Sequence, residues 1–186
     1  MTVICLVGMP GGGKSTVGRQ LGRRLGWHFY DTDALVERQI GCSIRSFFES
    51  QGEDRFRDVE ASIVNEVTRT DNLVLATGGG AVLREENRRV LQARCQVVYL
   101  RSAPEELFRR IRHDVSRPLL QVQDPLSRLR ELYEIRDPIY RSVANFVVDT
   151  GHPSVSSLVN VVLMQLELAG LVDPTLIPPP VDRAMK

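Results

Sequence analysis

The chain has 186 residues, about one domain in length, and its 42% apolar content is enough for a proper core. Its 24 basic side chains nearly cancel 23 acidic ones, and no basic run is massed as a general nucleic-acid binder requires. No apolar run approaches the ~20 residues of a membrane helix, so neither nucleic acid nor a membrane is expected as a partner.

The first apolar run, 2–8, reads as a strand and leads straight into Gly8-Met9-Pro10-Gly11-Gly12-Gly13-Lys14-Ser15-Thr16. An amphipathic segment, 14–25, follows with Val17, Leu21 and Leu25 on one face. Strand, glycine-rich turn ending Gly-Lys-Ser, then helix is the setting of a P-loop. There the backbone N–H groups of Gly11, Gly12 and Gly13 point inward as an anion nest, backed by the helix N-terminus. Lys14 would supply charge to a transferring phosphoryl group, Ser15 a hydroxyl to Mg²⁺, and Thr16 a contact near the α-phosphate. The chain has only two lysines, Lys14 and the terminal Lys186, and uses arginine for every other basic side chain. A compact ammonium on a flexible stem suits that position better than a planar guanidinium. A strand that starts at residue 2 leaves no room for a signal peptide, which predicts a cytoplasmic protein. The three cysteines, Cys5, Cys42 and Cys95, are odd in number and lack paired spacing, as expected of a reducing compartment.

Strands are predicted next at 27–31, 73–77, 96–100 and 145–149, and helices at 33–40, 43–50, 53–69, 84–93, 104–113, 125–135 and 154–168. Strands alternating with helices predict a parallel sheet covered on both faces. Strand C-termini line the ligand crevice in such sheets. Asp31-Thr32-Asp33 therefore faces the P-loop: Asp31 would help hold Mg²⁺ through water, and Asp33 would accept the hydrogen of an attacking hydroxyl, or else merely cap the helix that follows. Gly78-Gly79-Gly80, after the third strand, suggests a ligand lying close against the backbone.

Three of the many arginines stand out by position. Arg57 lies in a polar helical insertion between strands two and three. Arg117 precedes Pro118, whose ring biases it to extended backbone, in a weakly periodic segment that reads as a lid. Arg136 lies where Pro138 is expected to end a helix. Such arginines can clamp a carboxylate or stabilise phosphoryl charge. The proline-containing stretch 170–186 is expected to be disordered or extended, without a role in the fold. None of the three histidines has metal-ligand spacing.

In order, Gly8 to Thr16, Asp31-Thr32-Asp33, Phe56-Arg57 with Glu60, Gly78-Gly79-Gly80, Arg117-Pro118-Leu119, and Arg136 before Pro138 and Tyr140 resemble the motif series of the shikimate kinase family. The resemblance spans about residues 2–168. It implies a three-layer α/β/α P-loop fold with a five-stranded parallel sheet in order 2-3-1-4-5. The kinase domain would cover 1–169, with an acceptor-binding insertion at 33–60 and a lid at 112–124. It further implies a monomer that moves the γ-phosphate of ATP to the 3-hydroxyl of shikimate, with Mg²⁺. By family position, Lys14, Asp33 and Arg117 are catalytic. Arg110, Arg117 and Pro153 join the P-loop in holding ATP, with Arg110 and Pro153 on either side of adenine. Asp33, Arg57, Gly78, Gly79, Gly80 and Arg136 hold the acceptor, and Glu60 supports Arg57. Two other readings share part of this pattern. A gluconate-type kinase would need the P-loop but not the carboxylate clamp or the triple glycine. A nucleotide-binding regulator would keep ATP binding and dispense with Asp33, Arg117 and Arg136.

Overall fold

The computed structural model describes residues 2–113 and 122–177. Five strands pair in parallel: β1 (Val3–Val7), β2 (His28–Asp31), β3 (Leu73–Ala76), β4 (Gln96–Arg101) and β5 (Phe146–Asp149). Their order across the sheet is β2-β3-β1-β4-β5, as expected. Alternate residues of β1 feed two separate cores. Val3, Cys5 and Val7 face one side with Leu73, Leu75, Val97 and Tyr99. Ile4 and Leu6 face the other with Val74, Val98 and Leu100. Burial on both faces is why these strands read as continuous apolar runs.

The second core is closed by α1 (Lys14–Leu25) and α8 (Val155–Leu168), through Val17, Leu21, Leu158, Val162 and Leu166. The first core lies under α4 (Glu53–Val67), α5 (Glu85–Arg94), α6 (Pro104–Ile111) and α7 (Pro125–Val143). The insertion between β2 and β3 holds α2 (Thr32–Ile40), α3 (Ile44–Gln51) and α4. Local signals set several ends. Gly26 closes α1 in the left-handed conformation, and Ser43, Asp124 and Ser154 cap α3, α7 and α8 through their side chains.

Two expectations are corrected. The helix expected to stop at 135 runs on to Val143, with Pro138 inside it. Proline removes one helical hydrogen bond and costs about 3 kcal/mol in a helix interior. Burial of Tyr140 and Val143 beyond it offsets this at roughly 1.5–3 kcal/mol per large apolar side chain. The Tyr99 hydroxyl also donates to Asp137 at 2.8 Å, which pins the turn around the proline to β4. The tail expected to play no part in the fold instead packs over its first residues. Val172 is buried in the second core, Leu171 and Ile177 lie against it, and Pro174–Leu176 form a 3₁₀ turn. Two apolar side chains just past a helix C-terminus fold back because the α8 face leaves them a surface to cover. The rest of the tail, from 178, lies outside the described residues.

Candidate active site

The site lies at the carboxyl ends of β1, β2 and β3. Gly13, in the left-handed conformation (φ 83°), turns the chain into α1, which begins without a side-chain cap. Its opening amides therefore face the loop as an anion site requires. Lys14 is buried, and its ammonium donates to the carbonyls of Gly8 (2.9 Å) and Met9 (2.8 Å), curled over the loop it serves. The Ser15 hydroxyl donates to the Asp31 carboxylate. The other Asp31 oxygen accepts from the Asp33 N–H at 2.9 Å. Asp31 is thus the cap of α2, and Asp33 sits in the first turn with its carboxyl turned to the cleft. Burial by the cleft walls, and then the neighbouring Asp31 charge, push the Asp33 pKa up, while Lys14 and Arg57 pull against them.

Protein neighbours already require the triple glycine. A Cβ at Gly78 would stand 2.5 Å from the Asp33 carboxylate and 3.1 Å from that of Glu60. At Gly79 it would meet the Pro10 ring at 2.6 Å, and at Gly80 it would overlap the Arg57 guanidinium. Three neighbouring elements approach this backbone closely, and a side chain here would have to displace one of them. The Gly78 N–H donates to Thr32 Oγ1 at 2.9 Å, and the Gly79 carbonyl accepts from the Tyr140 hydroxyl at 2.6 Å.

Arg57 donates to Glu60 at 2.7 Å and to Glu53 at 3.2 Å, and lies over the Phe56 ring. Glu60 is 1% exposed, and among the described residues only one of its oxygens has a hydrogen-bond partner. Burial pushes its pKa up and Arg57 pulls it back. This pair holds the guanidinium at a fixed place on the cleft wall.

Three cavities join end to end. One of about 320 Å³ is lined by Gly12, Thr16, Arg110, His152 and Pro153. The next, about 450 Å³, shares Gly13, Thr16 and Arg110 with it and adds Lys14, Ser15, Asp31 and Asp33. The third, about 580 Å³, shares Pro10, Asp33, Gly78 and Gly79 with the second and adds Arg57, Glu60, Gly80 and Arg136. Of the neighbouring arginines it is Arg110 that faces Pro153; it bonds to Glu106 and to the Thr150 carbonyl. A separate cavity of about 360 Å³ beside β2, lined by Tyr30, Arg38 and Glu66, contains none of these residues. Arg117 and most of the expected lid lie outside the described residues.

Sequence reasoning passed over Thr32, Phe48 and Leu132. The last two line the third cavity of the groove. Phe48 follows Ile44 at helical spacing, a pattern that core residues share, so nothing in the sequence marks it as cleft-facing.

A family model described as shikimate kinase matches residues 10–167. The chain belongs to the shikimate kinase family. The shikimate kinase of Burkholderia thailandensis is 54% identical over 169 residues, which cover 91% of this chain and 92% of that one. That of Ralstonia nicotianae is 52% identical over 171 residues, covering 92% and 90%. Among solved structures, the Acinetobacter baumannii shikimate kinase in complex with shikimate matches with a TM-score of 0.86 and 43% identity, covering 93% of this chain and 96% of that one. The family makes the chain an ATP-dependent phosphotransferase, which removes the regulator reading, and membership of the shikimate kinase family removes the gluconate-type one. Among the described residues, no helix is long and apolar enough to cross a membrane.

Proposed function

We propose that the chain transfers the γ-phosphate of ATP to the 3-hydroxyl of shikimate, with each end of the groove holding one substrate. The observation that carries this is the sharing of Asp33 by the phosphate and acceptor cavities. A hydroxyl bound beside Arg57 and Arg136 would meet the phosphoryl group at that carboxylate. Adenine would lie between Arg110 and Pro153, and the phosphates would occupy the loop of Gly11, Gly12 and Gly13. Lys14 would leave its carbonyl partners for the phosphoryl oxygens, and Thr16 would approach the α-phosphate. Arg57 and Arg136 would clamp the shikimate carboxylate, a bidentate task for a guanidinium. The backbone of Gly78, Gly79 and Gly80 would close around the ring. Asp33 would orient the hydroxyl and receive its proton. Arg117, from the lid, would add charge at the phosphates.

Ser15 and Asp31 form a hard oxygen pair beside the nest, which fits Mg²⁺. The described residues hold no cluster of three metal-binding side chains, and a Mg²⁺ carried largely by phosphates and water needs none. Ser15 would bind the ion directly and Asp31 through water. When bound, Mg²⁺ neutralises phosphate charge. Phosphoryl transfer asks mainly for positioning and charge neutralisation, and these residues supply both. The protein would act as a cytoplasmic monomer.

The test is a coupled ADP-release assay with Mg-ATP, with and without shikimate. Strong shikimate-dependent release is expected. ATP binding without stimulation by shikimate would overturn the acceptor assignment.

A further inference from the structure

The geometry points to Tyr140 as a positioning residue for the acceptor, its hydroxyl tying the Gly79 carbonyl to the helix that carries Arg136. This rests on the proposed placing of Arg136 and Gly79 around shikimate. Tyr140 is fully buried on α7, one turn after Arg136, so the two side chains share a helix face. A phenol has one proton to donate and lone pairs that accept. The proton goes to the Gly79 carbonyl at 2.6 Å, which leaves the lone pairs of the oxygen for other partners. Burial raises the phenol to about 12 against the pull of Arg136, so the proton is in place throughout the working pH range.

The linkage has a consequence for the groove. Gly79 lies against Pro10 of the P-loop on one side and is held by Tyr140 on the other. Arg136 and Gly79 both line the acceptor cavity. One hydroxyl therefore fixes the spacing between the glycine backbone and the helix that carries Arg136. The ring alone satisfies the core, where it packs on Tyr99 with centroids 4.9 Å apart, and a phenylalanine would do that equally well. The oxygen is what packing does not require.

Tyr140→Phe removes that atom alone. KM for shikimate is expected to rise about tenfold, equivalent to about 1.4 kcal/mol, while KM for ATP stays within about twofold, because Tyr140 lines neither cavity at the nucleotide end. Tyr30→Phe is the control: it deletes a tyrosine hydroxyl beside β2, at a cavity that shares no residue with the groove, and both KM values should hold. An equal response of the two variants would reduce Tyr140 to a structural role and overturn the proposal. In an Arg136→Ala background the Tyr140→Phe effect should shrink to under about twofold, because coupled residues are non-additive; full additivity would break the linkage. Arg136→Ala separately tests the underlying reading. If it raised KM for ATP as much as KM for shikimate, the acceptor assignment of Arg136 would fail, and this proposal with it. Should Tyr140→Phe not fold, the wild-type protein carrying ¹³Cζ-tyrosine gives the answer. The chain has four tyrosines, so the Tyr140 signal is assigned by replacing the other three with phenylalanine. It should shift on adding shikimate and stay in place on adding ADP; no shift with shikimate would overturn the proposal.

Discussion

Asp31 caps the helix that carries Asp33: its carboxylate accepts the Asp33 N–H at 2.9 Å, and its second oxygen accepts from Ser15. The capping task falls to the first aspartate, and the second has its carboxyl available for the cleft. Two carboxylates two residues apart are thereby given different environments and different work.

Asp33→Asn should lower kcat by about 10²–10⁴-fold, the usual range for a lost general base, with ATP affinity retained. The raised carboxyl places the acid limb of kcat/KM above the ordinary aspartate value of 3.8. The sign for stability is the reverse of a salt-bridged aspartate. A folded-state pKa above the unfolded one means that the fold holds its proton longer, so stability falls as pH rises from 3.8 through the raised value. The asparagine variant should lose that slope. Paired pH–rate and pH–denaturation profiles check both, and an unchanged kcat would remove Asp33 from the chemistry.

Lys14→Ala should reduce kcat by about 10³-fold or more, since the developing phosphoryl charge loses its cation. Circular dichroism should show the fold intact. Turnover near that of the wild type would sink the role given to Lys14.

Gly80→Ala should act on function more than on stability. Its Cβ would displace the Arg57 guanidinium, which Glu60 and Glu53 hold in place, and the end of a long side chain can move. The stability cost is expected to stay near about 1 kcal/mol, at the low end for overpacking. Displacing a carboxylate clamp should raise KM for shikimate about tenfold or more, by the usual worth of a charged hydrogen bond. A steady-state comparison of both substrates decides it, and an unchanged KM for shikimate would exclude Arg57 from the acceptor site.

Removing residues 171–186 should destabilise the protein by roughly 2–4 kcal/mol, because Val172, Leu171 and Ile177 leave the α8 core. Val172→Ala alone should cost about 1–2 kcal/mol. Urea unfolding measures both; a truncated chain as stable as the full one would show that these contacts contribute nothing.

The strands and the glycine-rich loop were legible because each rests on local rules, whereas the strand order was implied only by the family resemblance. A β-branched run buried on both faces, a glycine-rich turn before a helix, and a cap residue at a helix start all act within a few residues. Three features needed the tertiary structure. Pro138 reads as a helix stop, yet α7 continues because Tyr140 and Val143 find a core and Tyr99 holds Asp137. Val172 reads as part of a solvated tail, yet it is buried because α8 leaves it a surface to cover. The triple glycine reads as room for a ligand, yet the neighbours that require it are Asp33, Pro10 and Arg57. The sequence by itself determined which chemistry the chain carries, since nest, lysine and carboxylates are set by residue type and short spacing. Only the tertiary structure decided that α7 runs on through Pro138 and what presses on the glycines, because these depend on contacts between residues tens of positions apart.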